Sequence, residues 1–172
     1  MKPSSISPQQ YELLSRLSSL PKHILALHSS DRLVEMVLGE LCDARCFNLK
    51  KAAYFIDNPD FDCCRGVAGF NADDHTARSS RLWEAQEAFA QAMEKSAFHR
   101  LVKGVQHASI TRNNAEVLVN ALAQQLNLVR PAFYAFPIKH DNKGVIIFEA
   151  NEPVHNELFD YGVSLLGFCP VF

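Results

Sequence analysis

Five cysteines and seven histidines carry most of the chemistry that this chain of 172 residues could perform. Cys42 and Cys46 lie one helical turn apart and could share a face. Cys63 and Cys64 are adjacent, so on a strand they point to opposite faces, and at most one could join the helical pair. A four-thiolate zinc site uses two short chelating loops, which this sequence lacks, so no metal is expected. The expectation for the cysteines is buried, inert thiols. The exception is a redox role for Cys63 or Cys64, because the neighbouring Arg65 could lower a thiol pKa.

The histidines (His23, His28, His75, His99, His107, His140 and His155) are scattered, with no His-x-x-x-His pair. His99 and His107 could line a cavity if the loop after the middle helix faces one; a surface or hydrogen-bonded role is the alternative. There is no Gly-x-Ser-x-Gly elbow and no glycine-rich phosphate loop. Ser79 and Ser80 read as a helix cap, and Asp73 and Asp74 as carboxylates that solvate a loop. No catalytic residue and no cofactor are assigned.

Composition narrows the classes further. The chain is 48% hydrophobic and 21% charged, a profile that fills a sizeable core, and its length suits one domain with an N-terminal extension. A net charge of -2 supplies no drive onto nucleic acid or anionic lipid. Apolar runs such as Val145 to Phe148 are too short to span a bilayer, and "MKPSSISPQQ" lacks the apolar core of a signal peptide. The odd, unevenly spaced cysteines predict a reducing, cytoplasmic setting.

These residues must be positioned by elements that the apolar spacing outlines. Leu13, Leu14, Leu17, Leu20, Ile24 and Leu27 predict a helix that Pro21 kinks or splits. Ser29 or Ser30 caps the next helix, whose buried stripe is Leu33, Met36, Val37, Leu41 and Ala44. "KKAAYFID" and "DCCRGVAGF" predict two strands joined at Asn58-Pro59-Asp60. Gly66 and Gly69 weaken the second strand or admit a close neighbour. Arg81 to about Lys103 reads as one helix, "HASI" as a short strand and "TRNNAEVLVNALAQQLN" as a further helix. Two strands joined through Asp141-Asn142-Lys143-Gly144 and a final helix from Pro153 complete an α+β chain.

The stretch "FYAFPIKHDNKGVIIFEANEPVHNELFDYGVSLL" resembles the end of a GAF domain. An apolar strand runs into Pro137-Ile138, a short turn follows, then Gly144-Val145-Ile146 and a terminal helix. "SAFHRLVKGVQHASI" with that hairpin is similar to the GAF-like domain found after HDOD domains in bacterial signalling proteins; residues 1–30 are too few to hold an HDOD module, which leaves open a stand-alone sensor or a fragment of a longer chain. The resemblance implies a central antiparallel sheet of five or six strands with helices on both faces and a ligand cavity. It divides the chain into residues 1–29, a leader and helix that is a candidate dimerisation element, and the GAF-like domain 30–172.

On that layout Phe70, Trp83, Phe89, His99, Arg100, His107 and Arg112 would form an apolar cup with a few charges, the make-up of a small-molecule site. The alternative is that the aromatics fill the space themselves. The cyclic-nucleotide signature is present only in part, as Asn142-Lys143 and Phe159, and no cysteine is followed by histidine as in bilin attachment. The implied function is a non-enzymatic sensory domain that binds a small ligand or a partner domain. The alternatives are a dimerisation or interaction module with a filled cavity and an enzyme similar to the free methionine sulfoxide reductases. The expected partner is a second copy, held through the N-terminal and C-terminal helices, since the leucines of the first helix need cover.

Overall fold

A computed structural model describes residues 5–75, 82–112, 114–154 and 156–171. Ser79, Ser80, Arg81 and His155 lie outside the described residues. The helices are α1 (Pro8–Ala26), α2 (Leu33–Cys42), α3 (Gln86–Lys95), α4 (Ala97–Lys103), α5 (Ala115–Gln125) and α6 (Glu157–Ser164). The strands are β1 (Leu49–Asn58), β2 (Cys63–Asn71), β3 (Gln106–His107), β4 (Ala132–Pro137) and β5 (Lys143–Ala150). They form one five-stranded antiparallel sheet in the order β3-β2-β1-β5-β4. The fold is α+β with helices on both sheet faces, as the sequence predicts.

One face carries α1, α2, α6 and the closing 3-10 turn Leu165–Phe168, packed on Tyr54, Ala68, Ile146 and Phe148. The other carries α4 and α5, with Phe98, Val102, Leu118 and Leu122 on Ala53, Phe55, Val145 and Ile147. Every residue of α2 is buried, Glu35 and Glu40 included, so its apolar positions form a full cylinder rather than one stripe. Among the described residues, no helix is long and apolar enough to cross a membrane.

Local chemistry accounts for several departures from the sequence reading. The helix α1 runs through Pro21 and is capped by a reciprocal Ser7–Gln10 box. Its Leu17, Leu20 and Ile24 are buried in the chain's own core, and Arg16 reaches Glu40 of α2 at 2.7 Å. Those three side chains are therefore covered from within, while Leu14 and Leu25 of the same helix stay exposed.

The single middle helix is broken at Ser96, whose side chain accepts the His99 N–H while donating to Asp74 at 2.6 Å. A buried hydroxyl that caps a new helix start explains the break. "HASI" contributes only His107 to β3; Ser109 and Ile110 instead bind the buried carboxylate of Asp57. In the last hairpin His140 and Asp141 take the positive φ values, 61° and 58°. Gly144 is inside β5, where a Cβ would meet the Phe136 ring at 2.4 Å. Close approach, not turn geometry, selects that glycine.

Tyr54 is fully buried on β1, stacked on Phe136 at 6.2 Å, and its hydroxyl has no hydrogen-bond partner among the described residues. Burial pushes its pKa up. An unpaired buried hydroxyl costs stability that phenylalanine would not. Tyr54→Phe is expected to leave stability unchanged or raise it by about 1 kcal/mol. A urea titration that shows clear destabilisation would reveal a partner for that oxygen.

Candidate functional site

The described residues that converge on a cleft lie where β2 runs out from β3 and α4 crosses its edge. Register explains why an edge is available. Tyr54 pairs with Ala68 and Phe55 with Gly66, so Val67 is skipped and β2 bulges. The strand β3 covers only Cys64 and Arg65. Beyond it, the outward amides of β2 find other acceptors. Gly66 N–H donates to Val105 O at 2.9 Å, and Gly69 N–H donates to His99 Nδ1 at 3.1 Å.

Helix α4 can come this close because Gly66 and Gly69 have no side chains; a Cβ on Gly66 would lie 1.8 Å from Val102 O. The result is a groove of about 850 Å³ between the start of α2, the β2 edge and α4. That volume is within the range of small-molecule sites. Its lining includes Arg32, Glu35, Arg65, His99, Arg100 and Lys103.

His99 is the knot of this site. It is 4% exposed. Since Nδ1 accepts from Gly69, the imidazole proton resides on Nε2, which faces Glu35 Oε1 at 3.1 Å. One side chain thus ties β2, α4 and α2 together, and neither nitrogen is left to act as a base. Burial raises the Glu35 carboxyl, but the His99 hydrogen bond and the charges of Arg32 and Lys103 outweigh it and hold the group below its ordinary value. The second oxygen of Glu35 has no hydrogen bond among the described residues and lies 3.6 Å from the Arg32 guanidinium, which also pairs with Glu94.

Of the seven residues of the expected cup, His99 and Arg100 line this groove, and Arg65 and Gly66, noted in the sequence for other reasons, join them. Phe70 and Phe89 flank His75, with ring centroids at 4.5 and 5.6 Å, on the α2 side. Trp83 stacks on His23 of α1 at 4.2 Å. These aromatics fill space rather than line one cup. His107 faces Gln125 of α5, and Arg112 is 72% exposed and paired with Asp62 at 3.1 Å. The space beneath α4 and α5, where the resemblance implies a cavity, holds the close-packed side chains of the second core.

Of the two redox candidates, Cys64 lies in the core. Cys64 is buried, and its thiol is pushed up to about 12 by burial, with the charges of Asp57 and Cys63 adding to it, so Arg65 does not activate it. Cys63 is half-buried where β2 begins. Glu35 and Lys103 escaped the sequence reading. The one signal for Glu35 was a charge inside an otherwise apolar run, "LVEMVLGELC".

No family model, no curated protein and no solved structure matches this chain.

Proposed function

We propose that this chain is a GAF-like regulatory domain that binds a small ligand in the groove between α2, the β2 edge and α4. The observation that carries the reading is the groove itself, about 850 Å³, floored by the Glu35–His99 pair and walled by charged side chains. The α+β architecture and the antiparallel sheet support the GAF-like assignment. A ligand seated there would touch α2 and α4 at once. Through α2, which packs against α1, it would bias the position of the N-terminal helix. The raised Cys64 thiol and the doubly engaged imidazole favour binding over catalysis.

Native mass spectrometry of the purified chain tests this. The expected result is a non-covalent small-molecule adduct that disappears in Gln106→Trp, a substitution that places an indole on the exposed groove wall. An adduct that persists in that variant would move the site elsewhere. Bare protein in both would favour a second reading, an interaction module with a filled interior, which the packing beneath α4 and α5 supports.

A further inference from the structure

The charges around the groove do not cancel where a ligand would meet them. Arg32 is engaged by Glu94 and lies beside Glu35, and Glu35 is further held by His99. Those groups answer one another. Arg65 on β2 and Arg100 and Lys103 on α4 are exposed, and among the described residues none has a carboxylate within ion-pair distance. Asp31 is the remaining acid of the lining.

Arg100 and Lys103 are three residues apart and therefore neighbours on the helix surface. The strand that carries Arg65 is tied to the end of α4 by the hydrogen bond from Gly66 N–H to Val105 O, and all three cations line the groove. Three like charges held on packed elements repel one another and gain from a shared counter-charge. Guanidinium groups bind oxyanions through paired N–H donors, and an ammonium adds a point charge.

We propose that the groove takes a compact oxyanion carrying two or more negative charges, a phosphorylated or polycarboxylated small molecule, held by Arg65, Arg100 and Lys103. This rests on the reading of the groove as the ligand site and adds the charge and chemistry of the ligand.

Calorimetric titration with pyrophosphate and, separately, citrate tests the proposal, at constant ionic strength set with sodium chloride. The wild-type chain is expected to bind at least one of them, more weakly as salt rises. The two probes separate a phosphate from a carboxylate preference. The variant R65Q/R100Q/K103Q removes only exposed side chains, and circular dichroism verifies its fold. It should bind at least tenfold more weakly, while Arg45→Gln, at a distant ion pair, should bind as wild type does. Equal binding by the triple variant would overturn the proposal, and so would no binding of either anion by the wild type. If that failure came with a co-purifying neutral or cationic molecule displaced by Gln106→Trp, the groove would remain the site and only the anion would be wrong. If no molecule were displaced either, both readings would fall.

Discussion

Replacing His99 by alanine is expected to lower the unfolding free energy by roughly 3–5 kcal/mol, the summed cost of leaving a buried carboxylate and a buried amide each without its hydrogen-bond partner. Two groups lose their partner at once. Glu35, 7% exposed, would keep its charge without the Nε2–H that faces it, and the Gly69 amide would lose its acceptor. For a domain of this size the midpoint should fall by about 10 °C. The double variant Glu35→Leu, His99→Phe should recover a good part of the loss, because it removes the buried charge together with its donor. A urea-derived destabilisation of His99→Ala below about 1 kcal/mol would mean that water already serves both groups.

The same pair predicts an acid response. Glu35 is held below its ordinary value in the folded chain. Its stabilisation is therefore complete above the unfolded carboxyl pKa, about 4.3, and is lost as pH falls through the lower folded value. Glu35→Gln should show a shallower loss of stability below about pH 4.3 than wild type.

Gly66→Ala is the second large effect. The added Cβ would lie 1.8 Å from Val102 O and 2.7 Å from Val102 C, which are backbone atoms that cannot rotate away. Helix α4 would have to lift from β2 and break the Gly66–Val105 hydrogen bond. A loss of about 3 kcal/mol or more is expected. Gly69→Ala meets the Val102 side chain at 2.6 Å instead, and a side chain can repack. Its cost should be nearer 1–2 kcal/mol. Thermal unfolding of the two variants under the same conditions checks the order; a Gly69→Ala loss equal to or larger than that of Gly66→Ala would contradict the backbone-contact account.

The parts of this fold that a reader of the sequence can recover are those written in short-range spacing. The β1–β2 and β4–β5 pairs follow from apolar runs and the turn residues between them, and α5 from its apolar steps. The glycines of β2 announced a close neighbour without saying which, and α4 is that neighbour. What escaped depended on contacts distant in sequence. Ser96 breaks a helical pattern because Asp74 reaches it. The leucines of α1 looked unpartnered because their cover is α2 and the closing 3-10 turn. The candidate site was half legible: His99 and Arg100 stood out by residue type. Glu35 did not, since a carboxylate buried on every side is recognised only once its histidine is found 64 positions later, facing it at 3.1 Å.

The pairing of β1 with β5 has a consequence for how the chain acquires its structure. Leu49 meets Ala150 and Asp57 meets Lys143, so the two middle rungs of the sheet come from distant parts of the sequence. Bringing them together closes a loop at an entropic cost of roughly 4 kcal/mol, paid before either strand is sheltered. During synthesis the β1–β2 ribbon must wait, one apolar flank bare, until residues past 150 have emerged. Chaperone engagement and off-pathway association should concentrate in that interval, and refolding should be slow for a protein of this length.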